Sequence, residues 1–171
     1  VLSILAMDKP ASFREADVRA EKIKVFQSLK QQTDEEIKRN FVRGQYTEGR
    51  IDGQHYVGYL DEPNIAAKSQ TETFAGGVFF VDTDRFRDVP FFFRTGKRLT
   101  EKGTRVTITF KKAEDIFGQR SEQNILTIYI QPTEGFSLFI NGKEVGSTFS
   151  LTPARLSWRH SAAALGNSPE A

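Results

Sequence analysis

The feature that most limits the fold is an alternation of apolar and polar side chains that begins near residue 71. Val106, Ile108 and Phe110, for example, are interleaved with Arg105, Thr107, Thr109 and Lys111. Successive side chains of a β-strand point to opposite faces of a sheet, so this period predicts half-buried strands. The predicted strands cover residues 71–81, 90–95, 104–111, 124–131, 135–141 and 154–159. The stretch Pro132-Thr133-Glu134-Gly135 between two of them predicts a hairpin turn.

The first 40 residues follow a helical pattern instead. Ser12 and Glu15 are spaced as the N-cap and third residue of a capping box, and an apolar stripe behind them predicts an amphipathic helix over residues 15–30. The stripe consists of Val18, Val25, Phe26 and Leu29. Thr33 is a candidate cap for a second, short helix. Recurrent glycines over residues 41–68 favour a long, ordered loop.

Helices that precede a run of strands with short connections indicate an α+β fold with a largely antiparallel sheet. Two of the predicted strands are unusually aromatic, with the runs Val78-Phe79-Phe80-Val81 and Val89-Pro90-Phe91-Phe92-Phe93. A strand with phenylalanine at consecutive positions is apolar on both faces. We therefore expect these strands to be covered on both faces by helices or by another sheet.

Length and composition exclude several classes of protein. The chain of 171 residues suits one domain or one large piece of a longer protein, and its net charge of +2 does not favour nucleic-acid binding. The absence of cysteine excludes a disulfide scaffold, a Cys-ligated zinc site and a thiol nucleophile. The longest uncharged apolar run, Phe74 to Val81, is too short to span a bilayer as a helix. We expect both ends to be cuts, because Val1–Met7 reads as a helix tail and Ser168-Pro169 as a helix start.

Motifs of common catalytic and cofactor sites are missing. The sequence contains no G-x-G-x-x-G fingerprint, no P-loop around Gly96-Lys97 and no nucleophile elbow. The two histidines, His55 and His160, have no neighbours at metal-ligand spacing, so no metal site is expected.

The strongest concentration of charge lies between residues 94 and 112, which hold seven Lys or Arg residues and one acidic residue. Lys97 and Lys102 lie five positions apart across a loop and could converge on one anion, as a phosphate clamp would require. Gln131 ends an apolar strand and could hydrogen-bond a ligand hydroxyl. Composition alone favours plainer interpretations: a solvated basic loop for the lysines, and a turn residue for Gln131.

Seven stretches, in order along the chain, resemble motifs of the bacterial glucose-6-phosphate dehydrogenases. They are Leu5-Ala6-Met7-Asp8-Lys9-Pro10-Ala11-Ser12-Phe13, Val42-Arg43-Gly44-Gln45-Tyr46, Gly58-Tyr59-Leu60-Asp61-Glu62, Thr71-Glu72-Thr73-Phe74, Val89-Pro90-Phe91-Phe92-Phe93-Arg94-Thr95-Gly96-Lys97-Arg98-Leu99, Gln131-Pro132-Thr133-Glu134-Gly135 and Gly166-Asn167-Ser168-Pro169-Glu170-Ala171. Together they cover essentially the whole chain.

The resemblance implies an NADP-dependent oxidoreductase, with NAD as a possible coenzyme, that converts glucose 6-phosphate to 6-phosphogluconolactone at the start of the oxidative pentose phosphate pathway. It implies that residues 1–171 are part of the C-terminal α+β domain, which is built on a large antiparallel sheet. The Rossmann domain and the catalytic histidine motif lie in parts of the family that this chain lacks. We therefore expect the chain alone to be inactive, with no catalytic, coenzyme-binding or metal-binding residue of its own.

The resemblance also reverses the plainer interpretations of three residues. Lys97 and Lys102 match substrate-contacting lysines, which would neutralise the phosphate, and Gln131 matches a glutamine that lines the same site. Animal members hold a second, structural NADP in this domain. Here Tyr129, Ser137 and Phe139 replace three of its ligands, so no such site is expected although Arg94 is retained.

The expected partners are glucose 6-phosphate and a second copy of the chain, in a cytoplasmic homodimer formed through the sheet. Neither nucleic acid nor membrane is expected. One alternative stays open at this point, namely a non-catalytic binding or dimerisation module with the same fold.

Overall fold

The computed structural model describes residues 1–112, 121–146 and 150–160. The chain divides into two compact units, Val1–Thr100 and Glu101–Ala171. The first unit contains helices α1 (Leu2–Ala6), α2 (Glu15–Gln27) and α3 (Asp34–Asn40), strands β1 (Phe41–Gly44), β2 (Gly49–Ile51), β3 (Gln54–Tyr56), β4 (Phe74–Phe80) and β5 (Pro90–Gly96), and a 3₁₀ turn, Tyr59–Asp61. The second contains β6 (Thr104–Thr109), β7 (Ile125–Gln131), β8 (Glu134–Lys143) and β9 (Leu151–His160).

All strand pairs in the described residues are antiparallel. The strands of the first unit form a three-stranded sheet in the order β1-β4-β5 and a separate β2-β3 hairpin, and those of the second form one sheet in the order β6-β7-β8-β9. The predicted α+β fold is therefore confirmed, and each of the six predicted strands is present. The prediction of a long, ordered loop without regular structure over 41–68 is wrong in part, because β1, β2 and β3 lie there. Strands of three or four residues are too short to show a period.

The predicted cap of α2 is wrong. Arg14 is the N-cap residue and makes no side-chain capping bond, while the Ser12 hydroxyl donates a hydrogen bond to the Asp17 carboxylate. The same hydroxyl accepts a hydrogen bond from Arg14 N at 3.2 Å, so it bonds to the cap residue itself and the helix begins after Arg14. The second, short helix is confirmed as α3, and it carries a full capping box: Glu36 N donates to Thr33 Oγ1 at 3.3 Å, and Thr33 N to Glu36 Oε2 at 2.9 Å.

The apolar core of the first unit joins α1 and α2 to the end of β4. Ala6, Val25 and Val81 are buried at its centre. The side chains packed around them are Leu2, Met7, Leu29, Phe86 and Phe91. After α2 the chain continues as an extended segment that pairs with β4, since Lys30 N donates to Phe80 O at 2.9 Å and Asp82 N to Ser28 O at 2.8 Å.

This extended segment explains why α2 ends at Gln27, before the predicted residue 30. Leu29 forms an antiparallel bridge with Val81, and a residue cannot hold that pairing and the helix at once. The predicted stripe is only partly buried. Val25 is buried, whereas Phe26 is 57% exposed.

Phenylalanine rings cover one face of the β1-β4-β5 sheet. Phe79 stacks on Phe93 with ring centroids 4.9 Å apart, and Phe41 meets both rings at 5.4 and 6.0 Å. Gly77 lies opposite both Phe41 and Phe93 in the sheet, so the absence of a side chain there leaves room for the rings. The expectation that both faces are covered is wrong within the described residues, because Phe92, on the other face of β5, is 79% exposed.

The sheet of the second unit has one apolar and one polar face. Rows of cross-strand neighbours define the apolar face: Val106, Ile128, Phe136 and Trp158, then Ile108, Leu126, Leu138 and Leu156. The row between them, on the opposite face, is Thr107, Thr127, Ser137 and Ser157. The predicted turn between β7 and β8 is confirmed and follows a cis peptide bond between Gln131 and Pro132.

Within the described residues, no helix has the length and apolar character needed to cross a membrane. The predicted helix start at Ser168 and Pro169 lies outside the described residues.

We predict that Gly77→Ala destabilises the protein. The added Cβ would lie 2.5 Å from Phe41 Cδ1 and 2.9 Å from the Asn40 carbonyl oxygen, so ring and backbone must both shift. Overpacking of this kind costs about 1–3 kcal/mol. Urea unfolding of the full-length protein measures the cost, and Gly44→Ala is the matched control because its Cβ would meet nothing within 4 Å. Equal free energies of unfolding for the two variants would contradict this account of the aromatic face.

Candidate functional site

Thr73, just before β4, joins three segments of the first unit. Its N–H donates to Gly44 O at 2.9 Å, its hydroxyl accepts from Tyr46 N at 2.9 Å, and its carbonyl accepts from Lys97 N at 2.8 Å. Thr73 is 9% exposed, so these bonds are largely shielded from water. The backbone of Lys97, the first predicted site residue, is thereby tied to the start of β4, while its side chain stays exposed.

Gly96 allows Lys97 to approach Thr73 closely. A Cβ at Gly96 would lie 2.9 Å from Phe74 Cδ2 and 3.1 Å from Thr73 O, which leaves no space for a side chain. Gly96 does not supply a positive φ at this turn, which falls two residues later, at Arg98, with a value of 54°. A non-glycine residue rarely takes this left-handed conformation, so its surroundings must hold it there.

Arg98 is held by a carboxylate and two aromatic rings. Its Nη2 donates to Glu62 Oε1 at 2.7 Å, and the same oxygen accepts from the Tyr46 hydroxyl at 3.1 Å. The guanidinium carbon lies 4.4 Å from the centroid of the Tyr56 ring and 5.9 Å from that of Tyr46, within the range of a cation–π interaction. We call Arg98, Glu62, Tyr46 and Tyr56 the Arg98 cluster.

The loop that supplies the cluster is ordered by its own hydrogen bonds. Tyr59 N donates to Tyr46 O at 3.0 Å, and the two rings meet edge to face at 5.9 Å. Gln45 Nε2 donates to the carbonyls of Ser69 and Thr71 at 2.8 and 2.9 Å. These bonds confirm the prediction that the region is ordered, and they keep Tyr46 next to Thr73.

The contacts of the Arg98 cluster shift two pKa values in opposite directions. The hydrogen bond from Arg98, followed by that from Tyr46, lowers the pKa of the Glu62 carboxyl. The hydrogen bond to Glu62 raises the pKa of the Arg98 guanidinium. Both groups are therefore charged at neutral pH, and the ion pair is intact there.

The other two predicted site residues, Lys102 and Gln131, lie in the second unit, near one end of the β6-β7 pair. Gln131 is opposite Thr104 in the register, and Lys102 lies two residues before Thr104. Gly103 comes so close to this strand that a Cβ there would be 3.1 Å from Gln131 O. Both Lys102 and Gln131 are exposed. Lys97 belongs to the first unit, so the convergence of the two lysines on one anion stays a prediction.

In the parts of the chain that the structure describes, no group of three or more His, Cys, Asp or Glu residues could hold a metal ion. His55 Nε2 lies 2.9 Å from Glu48 Oε1 on the β2-β3 hairpin. The pairing of His55 with Glu48 assigns no catalytic role to this histidine, and the candidate site residues stay the three predicted to bind substrate.

Comparison with known proteins identifies the family. The family model "Glucose-6-phosphate dehydrogenase, C-terminal domain" matches residues 1–171. The chain belongs to this family. The resemblance seen in the sequence motifs is thereby confirmed.

Individual relatives agree with the family model. The chain is 63% identical over 170 residues to a glucose-6-phosphate 1-dehydrogenase of Streptococcus pneumoniae, and the match covers 99% of the chain and 34% of the relative. It is 38% identical to a glucose-6-phosphate 1-dehydrogenase of Bacillus subtilis, and that match covers 100% of the chain and 36% of the relative. A solved glucose-6-phosphate dehydrogenase in complex with its substrate glucose-6-phosphate is similar in structure, with a TM-score of 0.79 and 30% identity over 98% of the chain and 33% of that protein. The chain thus spans about a third of the length of these relatives.

Sequence reasoning missed the Arg98 cluster and Thr73. Arg98 counted only as one more charge of the basic segment, and Glu62 lies 36 positions away from it. Nothing in the charge pattern links residues so far apart. The signal that could have drawn attention is the position of both residues inside stretches that match motifs of the glucose-6-phosphate dehydrogenase family.

We predict that Glu62→Gln lowers stability in a pH-dependent way. A carboxyl with a lowered pKa in the folded state stabilises the protein fully above its unfolded pKa, about 4.3, and loses that contribution as pH falls through the folded value. The variant should therefore be less stable than the parent at pH 7, and the difference should shrink below about pH 4.3. Denaturant unfolding of both full-length proteins between pH 3 and 7 measures this. A difference that stays constant across this range would contradict the charged pair.

Proposed function

We propose that this chain supplies part of the sugar-phosphate site of an enzyme that oxidises glucose 6-phosphate to 6-phosphogluconolactone with hydride transfer to NADP. The observation that carries the proposal is the match of the whole chain to relatives named glucose-6-phosphate 1-dehydrogenase. Because the chain spans about a third of those relatives, the activity belongs to the full-length protein. The 171-residue chain alone is expected to be inactive.

In this proposal three residues bind and orient the substrate. The ammonium groups of Lys97 and Lys102 neutralise the phosphate, and the Gln131 amide hydrogen-bonds the sugar. The anchored backbone of Lys97 supports the role, since a binding group on a fixed backbone loses less freedom when the substrate arrives. Orientation is their contribution to catalysis, because they hold the reacting carbon in place for hydride transfer. We assign no proton-transfer step to this chain.

The described residues do not fit the redox coenzyme. Dinucleotides bind where parallel strands lead through glycine-rich turns into helix N-termini, and every strand pair in the described residues is antiparallel. The sequence also lacks the fingerprint. We therefore propose that NADP, or NAD, binds to a Rossmann domain elsewhere in the full-length enzyme, and that residues 1–171 form part of its C-terminal domain.

We also propose that this chain holds no second, structural coenzyme. Tyr129, Ser137 and Phe139 line a depression of about 320 Å³ on the polar face of the β6-β9 sheet, together with Glu122 and Arg155. Arg159 stacks on Tyr129, with its guanidinium carbon 3.4 Å from the ring centroid. Tyr129, Ser137 and Phe139 bring no positive charge to the depression, which leaves Arg155 as the one cation of its described lining, and this supports the proposal.

We predict that Lys97→Ala in the full-length enzyme raises KM for glucose 6-phosphate roughly tenfold or more and changes kcat less. Hydrogen bonds to charged groups contribute about 1.5–3 kcal/mol, which corresponds to that range. The assay follows the absorbance of the reduced nicotinamide with NADP and with NAD. Lys111→Ala is the matched control, because Lys111 belongs to the same basic segment but carries no proposed role.

Equal KM values for the two lysine variants would contradict the clamp and favour a generally basic loop. No turnover with either coenzyme by the folded full-length protein would contradict the dehydrogenase and favour a non-catalytic binding module.

We further propose that the enzyme is a cytoplasmic homodimer and that the apolar face of the β6-β9 sheet forms its interface. Phe136, Leu156 and Trp158 are 41%, 51% and 53% exposed on that face. The register places Phe136 opposite Trp158, and Leu138 opposite Leu156, so the exposed side chains are neighbours. A contiguous apolar patch on a sheet indicates an interaction surface. The lack of cysteine suits a reducing compartment.

We predict that Trp158→Glu converts the full-length dimer to a monomer, because a carboxylate buried in an apolar interface lacks a partner. Ser157→Glu is the matched control, since Ser157 is the next residue of β9 and lies on the opposite face. Sedimentation velocity measures the oligomeric state. A folded Trp158→Glu variant that remains dimeric would contradict the proposed interface and would assign this face to packing within one chain.

A further inference from the structure

We propose that the Arg98 cluster positions Lys97, so that Arg98 and Glu62 are positioning residues for the binding of the substrate phosphate. The inference rests on the proposed function, because it deepens the role given there to Lys97. Two adjacent cations, Lys97 and Arg98, follow β5, and the structure gives them different surroundings.

The first step of the argument concerns charge. Arg98 is already neutralised by Glu62 at 2.7 Å and packed against Tyr56 at 4.4 Å. In the described part of the chain no carboxylate lies within ion-pair distance of Lys97, whose side chain is exposed. An incoming anion therefore meets an ammonium at Lys97 that is not already paired, while Arg98 is committed to Glu62.

The second step concerns the backbone on either side of Lys97. On the amino-terminal side, Gly96 and the hydrogen bond from Lys97 N to Thr73 O keep the residue beside β4. On the carboxyl-terminal side, Arg98 takes a left-handed φ of 54°. Arg98 holds this uncommon conformation with its own side chain, which bonds to Glu62 and packs on tyrosine rings. The backbone of Lys97 is thus held on both sides.

The third step connects the two anchors. The Tyr46 hydroxyl donates to the same Glu62 oxygen that Arg98 binds, and Tyr46 N donates to Thr73 Oγ1. Thr73 and the Arg98 cluster therefore share Tyr46 and hold the turn from both sides. The arrangement preorganises one ammonium for a phosphate monoester, and preorganisation improves affinity because less freedom is lost on binding.

The test uses three single variants of the full-length enzyme. Glu62→Gln breaks the ion pair and leaves the charge of Arg98. Arg98→Asn removes the guanidinium and keeps a residue type that tolerates positive φ. Glu72→Gln is the matched control, because it breaks the ion pair between Glu72 and Arg43, which lies in the same unit and includes no residue of the Arg98 cluster.

We expect Glu62→Gln and Arg98→Asn each to raise KM for glucose 6-phosphate at least about fivefold, with kcat nearly unchanged. Misplacement of a binding group by about 1 Å can cost up to about a hundredfold, so this size is reasonable. Glu72→Gln should leave KM as in the parent. The double variant of Glu62 and Arg98 should raise KM no further than either single change, because both remove the same brace.

Glu62→Gln also separates positioning from direct contact. If Arg98 itself bound the phosphate, freeing it from Glu62 would lower KM or leave it unchanged, and that result would overturn the inference. A KM raised equally by Glu72→Gln would also overturn it, since the effect would then follow from any lost ion pair. Circular dichroism confirms that the variants are folded.

Failure of the inference and failure of the proposed function give different results. If Lys97→Ala raises KM but Glu62→Gln does not, Lys97 binds substrate without help from Glu62 and the inference is wrong. If Lys97→Ala leaves KM unchanged, the proposed substrate role of Lys97 is wrong, and the positioning inference is overturned with it.

Discussion

Three hydrogen bonds at Thr73 tie the sheet of the first unit to the loops around it. Its backbone N–H and carbonyl bind Gly44 and Lys97, and its hydroxyl binds the backbone of Tyr46. This set requires a short side chain whose hydroxyl can accept from a backbone N–H, as threonine and serine have. Because the residue is buried, each bond replaces one to water and would be costly to leave unpaired. Thr73 therefore fixes the relative positions of three segments, namely the end of β1, the loop after it and the end of β5.

The strands were predictable from the sequence because sheet faces differ in solvent exposure. In β6 to β9 the alternation of side chains reproduces the observed apolar and polar rows almost residue by residue, as with Ile108 and Thr107. A cap was less predictable, because its spacing alone does not fix where the helix begins. Ser12 had the spacing of a cap, but its hydroxyl bonds to Arg14 N and to the Asp17 carboxylate, and the helix begins after Arg14. Thr33 had the same kind of spacing, and its capping box formed.

The site was less predictable than the fold, because its contacts are tertiary. Composition drew attention to Lys97 as part of a basic segment, yet the features that hold it are Thr73, 24 positions earlier, and the pair of Arg98 with Glu62, 36 positions apart. The role of Gly96 is also tertiary: it provides space beside Phe74, while the positive φ occurs at Arg98. A sequence shows which residues can bind an anion, but the distances that make one of them available come from folding.

The strained conformation of Arg98 links stability to function. A glycine at this position would adopt φ of 54° at no steric cost, so the arginine is not explained by the turn alone. Its guanidinium instead brings Glu62 and two tyrosine rings to the turn, and their contacts offset the strain. A glycine there would make none of these contacts, so the chain on that side of Lys97 would lose this anchor. The arginine therefore costs some backbone strain and in return anchors the turn. That anchoring is useful only if the position of the neighbouring Lys97 side chain matters.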